Sequence, residues 1–151
     1  MVEVRGKVEK KFLGTHIIAE LYGCDPVLLD DVEFITSTLI KSAEKVRVTV
    51  LDYATRKFEP QGVSAIVIIS ESHIAIHTWP ELKYAALDFY TCGEEDPEPA
   101  VREIARKFKT KELVLFRADR GNISKIEKIM KSNRKDRGNE EIRTDEMQIL
   151  L

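Results

Sequence analysis

The segment from Glu71 to Glu81 is dense in side chains that can do chemistry. It reads Glu-Ser-His-Ile-Ala-Ile-His-Thr-Trp-Pro-Glu, so Ser72 follows an acidic residue and two of the three histidines of the chain lie close behind it. Cys92 comes on a neighbouring apolar stretch. A serine, two imidazoles and a thiol can supply a nucleophile, a general base and a proton donor. The segment therefore predicts a site of covalent chemistry.

A zinc site is the first alternative. His73 and His77 are four residues apart, the spacing that places two zinc ligands on one face of a helix. The residues between them are Ile74-Ala75-Ile76, which favour a strand. Four residues of a strand span about 13 Å, whereas zinc ligands lie about 2 Å from one ion. We therefore predict no metal site.

Signatures of several other catalytic classes are missing from the chain. There is no G-x-S-x-G nucleophile elbow and no glycine-rich phosphate loop. What remains is a serine whose target is its own backbone: the Ser72 hydroxyl can attack the carbonyl carbon of Glu71 and turn that amide into an ester. Elimination then leaves a dehydroalanine, which hydrolyses to a pyruvoyl group. This chemistry needs a base and an oxyanion stabiliser, for which His77 and the Ser64 hydroxyl are candidates.

Length and composition indicate a single cytoplasmic domain, residues 1–151. The net charge of -2 argues against nucleic acid or an anionic membrane as a partner. No apolar stretch approaches the ~20 residues that span a bilayer, and the first residues lack the apolar region of a signal peptide. Cys24 and Cys92 are too few for a disulfide framework, so we expect reduced thiols and a cytoplasmic location.

Apolar periodicity predicts the elements that position the reactive segment. Asp25-Pro26 predicts a helix start, since aspartate is a good N-cap and proline is tolerated at N1, and apolar residues at helical spacing continue to Ala43. Val46, Val48 and Val50 alternate with polar residues, as in a half-buried strand. The other predicted elements are strands at Leu13–Tyr22, Val63–Ser70, Ser72–Trp79, Tyr84–Thr91 and Leu113–Phe116, helices at Pro99–Phe108 and around Ile123–Met130, and a mobile charged tail at 131–151.

This order of elements predicts an α+β fold. We expect a two-layer sandwich, with a mostly antiparallel sheet and helices on one of its faces. The run Ile66-Val67-Ile68-Ile69 is apolar on both faces of its strand. One layer of helices cannot cover both faces, so we expect the sheet to pack against a partner protomer in a dimer.

The strand prediction raises a geometric difficulty at Ser72. Ser72 and His77 are five residues apart, so on an unbroken strand their side chains face opposite sides. His77 can serve Ser72 only if the chain bends near Ser72. We therefore predict a break in regular strand pairing at Glu71-Ser72.

Several motifs together resemble the small prokaryotic S-adenosylmethionine decarboxylases. The resemblance runs from about Phe12 to Phe116, and its most specific part is the block from Gly62 to Gly93. The motifs that carry it are Gly62-Val63-Ser64, Glu71-Ser72-His73, His77-Thr78-Trp79-Pro80-Glu81 and Thr91-Cys92-Gly93, with Phe12-Leu13-Gly14-Thr15-His16 upstream.

The resemblance implies a proenzyme that cuts itself between Glu71 and Ser72. The products would be a β chain, 1–71, and an α chain, 72–151, whose first residue becomes a covalent pyruvoyl cofactor. Its carbonyl would form a Schiff base with the amine of S-adenosylmethionine and draw electrons from the breaking bond to the carboxylate. The product would be the aminopropyl donor for spermidine synthesis.

The same resemblance implies roles for five further residues. Ser64 and His77 would assist processing, with His77 as a proton acceptor, and Cys92 would return a proton to the substrate. Phe58 would stack on the adenine, and Glu81 would bind the ribose hydroxyls. In this family the active sites lie at a dimer interface, which implies a homodimer of αβ protomers.

Two alternatives keep the fold and change the function. Some relatives decarboxylate arginine or ornithine with a pyruvoyl group, and others do not process and act as regulatory paralogues. Phe58 and Glu81 favour a nucleoside, because an aromatic platform and a carboxylate suit adenine and ribose. The joint presence of Ser72, His77 and Cys92 argues against a regulatory paralogue, which has no need of all three.

Overall fold

A computed structural model describes residues 10–132 and 141–148 of the chain. Six strands form one antiparallel sheet in the order β2-β3-β4-β5-β1-β6. The strands are β1 (Phe12–Tyr22), β2 (Val50–Lys57), β3 (Val63–Ile69), β4 (Ser72–Trp79), β5 (Tyr84–Thr91) and β6 (Glu112–Asn122), and the helices are α1 (Val32–Lys45), α2 (Glu98–Lys107) and α3 (Ile123–Ser132). The predicted α+β class is confirmed.

Helices α1 and α2 cover one face of the sheet and close the core against it. Most residues of β3, β4, β5 and the second half of β1 on that face are buried, and they alternate with residues on the opposite face. Both helices contribute apolar side chains at helical spacing. The largest of these buried side chains are Ile17, Leu21, Ile74, Ile76, Leu87 and Phe89 from the strands and Ile35, Leu39, Ile104 and Phe108 from or beside the helices.

The predicted start of the first helix was wrong. Asp25 accepts a hydrogen bond from the backbone N–H of Val27 at 2.9 Å, and a short 3-10 turn follows at Leu28–Asp30. The chain is extended at Asp31, whose side chain caps α1 by accepting from the N–H of Phe34 at 3.0 Å. A second aspartate in a better position therefore starts the helix six residues later.

The predicted strand Val46–Val50 was also wrong. The N–H of Val46 bonds to the carbonyls of Ala43 and Glu44 and ends α1, and Arg47 is left-handed with φ 56°. The true strand, β2, runs from Val50 to Lys57 along the edge of the sheet. Its side chains are exposed apart from Val50, so it carries no apolar alternation that a sequence could reveal.

The last strand is longer than its apolar residues indicate. Strand β6 extends from Glu112 to Asn122, and its polar second half pairs with the first half of β1. The helix predicted near Ile123–Met130 is confirmed as α3, which has no buried residue. Of the predicted mobile tail 131–151, residues 133–140 and 149–151 lie outside the described residues, and 141–148 contain no helix or strand.

The face of the sheet opposite α1 and α2, called the open face below, exposes large apolar side chains. Ile18, Ile66 and Ile68 are 38%, 39% and 44% exposed. They lie on β1 and β3 and alternate with buried residues of the same strands. Within the part of the chain described, no helix is long and apolar enough to cross a membrane.

Thr78 ties the end of β4 to the loop before α1. Its buried hydroxyl donates to the carbonyl of Leu29 at 2.6 Å and accepts from the N–H of Val63 at 2.9 Å. Thr78→Val keeps the shape and leaves both backbone groups without this partner, so we expect a loss of about 1–3 kcal/mol in the free energy of unfolding. Thr78→Ser keeps the hydroxyl and should lose less than about 1 kcal/mol. Denaturant unfolding measures both, and equal losses for the two variants would contradict this role.

Candidate active site

Ser72 is the first residue of β4 and follows a tight hairpin turn at Ser70-Glu71. It pairs with Ile69 of β3 and Thr91 of β5, and the pairing beyond it is regular up to Trp79. The predicted break in strand pairing at Glu71-Ser72 was therefore wrong, because Ser72 is paired on both sides; the irregularity is the turn before it and the φ of 151° at Ser72. No bend follows it that could bring His77 back towards Ser72 in the same chain.

The φ angle of Ser72 brings its hydroxyl-bearing carbon towards the bond that would break. In an L-residue, Cβ lies about 120° from the carbonyl carbon around the N–Cα bond, so φ near 151° leaves Cβ only about 30° from the Glu71 carbonyl carbon. Attack of Oγ on that carbon closes a five-membered ring, which requires this near-eclipsed arrangement. In an ordinary strand, φ is about −140° and Cβ points away from the preceding carbonyl carbon.

His73 lies beside the Ser72 hydroxyl. Its Nδ1 is 3.4 Å from Ser72 Oγ, and its half-buried ring stands edge-on to His16 and Tyr90, with ring centroids 6.0 and 6.1 Å apart. Burial lowers the pKa of His73 below its ordinary value, and His16 and Arg120 act in the same direction. The neutral imidazole is therefore favoured at this position.

Polar side chains from three strands, β1, β5 and β6, interact with one another next to His73. His16 Nε2 is 2.9 Å from Asp88 Oδ1, and Arg120 approaches His16 Nδ1 at 3.4 Å while its guanidinium lies 4.7 Å from the centroid of Tyr90. Arginine is always a donor, so Nδ1 of His16 is the acceptor and Nε2–H donates to Asp88. None of these four residues, His16, Asp88, Tyr90 and Arg120, was predicted as a site residue. Only the alternation along β1, β5 and β6 could have indicated them, once the pairing of those strands was known.

Cys92 follows β5 next to Thr91, the cross-strand partner of Ser72. Its thiol is partly buried against Tyr90, whose pKa is raised by burial and then by Cys92. Gly14 of β1 passes directly over this pair: a methyl group at Gly14 would lie 2.9 Å from Cys92 Sγ and 2.8 Å from Tyr90 Cε2. The absence of a side chain at position 14 is what lets the thiol sit here.

His77 and Ser64 form a second polar pair on neighbouring strands. They are opposite each other in the pairing of β3 with β4, and Ser64 Oγ lies 2.7 Å from His77 Nδ1. The pair borders an open groove of about 310 Å³. Other residues lining the groove are Ala54, Thr55, Arg56, Ala65, Ile66 and Ala75.

The two predicted substrate-binding residues lie towards the same end of β4 as His77. Phe58 follows β2 with its ring 46% exposed, and its N–H donates to the carbonyl of Gly62 at 2.8 Å. Gly62 has φ 105° and approaches the carbonyl of Thr78, so the Phe58 turn packs on the end of β4. Glu81 is exposed in the 3-10 turn Pro80–Leu82 that follows β4.

The residues described above thus form two groups within one chain, in which His73 and Tyr90 join the six predicted residues. The Ser72 cluster contains Ser72, His73, Tyr90 and Cys92, and the His77 cluster contains Ser64, His77, Phe58 and Glu81. His77 is five positions after Ser72, which is about 16 Å along β4. His73, His77 and Tyr90 lie on the open face by strand alternation. Among residues 10–132 and 141–148, no three His, Cys, Asp or Glu side chains are grouped to hold a metal ion.

Comparison with known proteins places this geometry in a family. Residues 15–121 match the family model for S-adenosylmethionine decarboxylase. The chain belongs to the S-adenosylmethionine decarboxylase family. It is 48% identical over 118 residues to the S-adenosylmethionine decarboxylase proenzyme of Caldanaerobacter subterraneus subsp. tengcongensis, covering 78% of this chain and 95% of the relative.

Two further proteins agree with this membership. The S-adenosylmethionine decarboxylase proenzyme of Caldicellulosiruptor saccharolyticus is 50% identical over 110 residues, which is 72% of this chain and 89% of the relative. The crystal structure of the adenosylmethionine decarboxylase from Aquifex aeolicus superposes with a TM-score of 0.69 at 35% identity, covering 74% of this chain and 93% of that one. Both clusters lie within the family match, whereas α3 lies beyond it.

A methyl group at Gly14 tests the packing around the Cys92 thiol. Gly14→Ala must displace Cys92 or Tyr90, so we expect a loss of about 1–3 kcal/mol in stability and a severalfold change in the rate at which a thiol reagent modifies Cys92. Gly93→Ala is the matched control, because its added carbon would come no closer than 3.2 Å to a neighbouring atom. Thiol labelling and thermal unfolding measure both variants. If Gly14→Ala is labelled at the wild-type rate and is as stable as the wild type, the position of the Cys92 thiol does not depend on the lack of a side chain at residue 14.

Proposed function

We propose that the chain is a self-cleaving proenzyme whose mature form decarboxylates S-adenosylmethionine with a pyruvoyl group made from Ser72. The observation that carries the proposal is the φ of 151° at Ser72, which holds the side chain towards the Glu71 carbonyl carbon. Relatives that match along most of their length are themselves named proenzymes, which supports a maturation step.

Self-cleavage uses only groups of the chain. Ser72 Oγ bonds to the Glu71 carbonyl carbon, the Glu71–Ser72 C–N bond breaks, and the Oγ proton ends on the Ser72 nitrogen, leaving an ester. Removal of the Cα proton of Ser72 then expels the Glu71 carboxylate and leaves a dehydroalanine. Water replaces its nitrogen, which departs as ammonia, and a ketone remains at position 72. The two resulting chains are residues 1–71, released by the elimination, and residues 72–151.

The residues around Ser72 fit the group that this sequence of steps creates. A pyruvoyl carbonyl supplies an electron sink for the carbon that loses carbon dioxide from an α-amino acid. Cys92 adjoins the cross-strand partner of Ser72 and carries a partly exposed thiol, which suits a proton donor to that carbon. Tyr90 lies beside the thiol and interacts with it, since Cys92 contributes to raising the pKa of Tyr90.

Phe58 and Glu81 support a nucleoside as the rest of the substrate. An exposed aromatic ring can stack on adenine, and an exposed carboxylate can accept hydrogen bonds from two ribose hydroxyls. Arginine and ornithine carry neither an aromatic base nor a ribose. The two side chains therefore favour S-adenosylmethionine among the α-amino acids that this chemistry could take.

Release of labelled carbon dioxide tests the substrate. Carboxyl-labelled S-adenosylmethionine should be turned over at least a hundredfold faster than labelled arginine or ornithine. Glu81→Gln should raise KM for S-adenosylmethionine by about 10-fold, as expected for one lost charge-assisted hydrogen bond, while cleavage at position 72 continues. Ser72→Ala is the control without a cofactor and should release none. Faster turnover of arginine than of S-adenosylmethionine would indicate a pyruvoyl-dependent arginine decarboxylase instead. A wild-type chain that never cleaves would indicate a regulatory paralogue.

We also propose that the working enzyme is a homodimer in which the open faces meet. Its exposed Ile18, Ile66 and Ile68 support a covered face. The distance between the two clusters within one chain supports the same conclusion, because His77 and Ser64 of one copy can then serve Ser72 and Cys92 of the other. Two-fold symmetry would create two equal composite sites. The unpaired Cys24 and Cys92 agree with a reducing compartment such as the cytoplasm.

Mixed dimers with differently tagged subunits distinguish composite sites from sites within one chain. A purified dimer of a Ser72→Ala subunit and a His77→Ala subunit should hold one site with both residues intact and reach about half of wild-type activity. The matched control pairs a wild-type subunit with a Ser72→Ala/His77→Ala subunit and should be inactive. Sites built within one chain predict the reverse, an inactive first dimer and a half-active control.

A further inference from the structure

His73 has no assigned task, yet it is the imidazole that the structure places beside the reactive hydroxyl. Its Nδ1 is 3.4 Å from Ser72 Oγ, while His77 of the same chain is five strand residues away. Catalytic hydrogen bonds are often long before a reaction begins and shorten during it. The contact is therefore close enough for proton transfer after a small movement of the serine side chain.

The packing around His73 fixes the direction of its ring. His73 lies opposite Ile68 of β3 and Tyr90 of β5, and its ring packs edge-on against Tyr90 and His16. These contacts keep Nδ1 on the side of Ser72. Among the described residues, no carboxylate forms a hydrogen bond with the His73 ring, whose aromatic neighbours are Tyr90 and His16.

The charges that face His73 favour its neutral form. On its own strand the nearest polar group is Ser72; from the neighbouring strands it faces His16, Tyr90, Asp88 and Arg120. Burial, His16 and Arg120 lower its pKa, and Asp88 opposes them without reversing the shift. A neutral imidazole has a free lone pair at one nitrogen, which is what a base for a hydroxyl needs.

We propose that His73 is the catalytic base for the first step of self-cleavage. It takes the proton from Ser72 Oγ as the oxygen attacks the Glu71 carbonyl carbon, and it returns that proton to the Ser72 nitrogen as the C–N bond breaks. No net charge is left on the ring, and no oxidant or reductant is needed. His77 then remains available for the later removal of the Cα proton. This inference rests on the proposed self-cleavage and adds the group that starts it.

The rate of cleavage of freshly folded proenzyme tests the proposal. The wild type, His73→Asn and His73→Ala are refolded from denaturant, and appearance of the 1–71 and 72–151 fragments is followed on denaturing gels between pH 5 and 9. His73→Asn keeps a polar atom near the Nδ1 position and cannot act as a base. We expect cleavage to slow by at least about 100-fold, the usual contribution of a general base. Imidazole in the buffer should restore part of the rate to His73→Ala.

The pH profile separates a base from a merely structural residue. Because the pKa of His73 is lowered, wild-type cleavage should fall only when the pH drops below the ordinary histidine range, and this decline should be missing in His73→Asn. His16→Asn is the matched control: it removes a ring that packs on both His73 and Tyr90 while leaving the base in place. It should slow cleavage far less than His73→Asn does.

The outcomes are distinguishable. Cleavage of His73→Asn within about threefold of wild type, with an unchanged pH profile, overturns the role of His73 and leaves self-cleavage standing. A wild-type chain that folds and never cleaves overturns self-cleavage itself. Circular dichroism checks that each variant folds; if His73→Asn does not, the wild-type profile decides, and a rate that is flat through the acid range overturns the proposal.

Discussion

A serine held in a sterically costly backbone conformation is the feature on which the rest of the site depends. A non-glycine residue at such a positive φ costs about 1–3 kcal/mol. Ser72 stays there because the turn at Ser70-Glu71 is short and because pairing on both sides of β4 begins at once. Ile69 and Ile74, both buried, anchor the strands on either side of the turn. The folded sheet thus offsets the cost of a backbone angle that turns Cβ of Ser72 towards the Glu71 carbonyl carbon.

The same sheet explains why the reactive residues lie in two places. Strand alternation puts His73 and His77 on the open face, and a straight β4 keeps them apart. A bend that brought His77 to Ser72 would disrupt the ladders to β3 and β5, both of which are regular from Ser72 to His77. In the dimer proposed above, a second copy against the open face would cover the exposed isoleucines and bring the two clusters together without bending β4. Burial of the apolar face and completion of the site are then one event.

Much of this arrangement could be predicted from the chain. Apolar alternation located the central strands because they are buried, and the α+β class followed from their order. Edge strands could not be located in the same way: β2 is exposed and the second half of β6 is polar, so neither carries a burial pattern. The helix start was misplaced because Asp25 and Asp31 are both good caps, and only the packing of the 3-10 turn between them decides which one is used.

The residues of the candidate site were likewise only partly predictable from the sequence. Ser72, His77 and Cys92 could be proposed because they are close in sequence or belong to a shared motif. His16, Asp88 and Arg120 could not, because their contact depends on β1 lying between β5 and β6, a neighbour relation that periodicity does not reveal. The placement of His73 beside Ser72 likewise needed the backbone angle at position 72.

Intact-mass and fragment-ion analysis of the mature protein tests self-cleavage at the Glu71–Ser72 bond directly. Self-cleavage predicts a fragment that begins at residue 72 with a ketone in place of an amine, together with an unmodified fragment that ends at Glu71. Active protein in which the Glu71–Ser72 peptide bond is intact, or in which residue 72 remains a serine with a free amine, would contradict it.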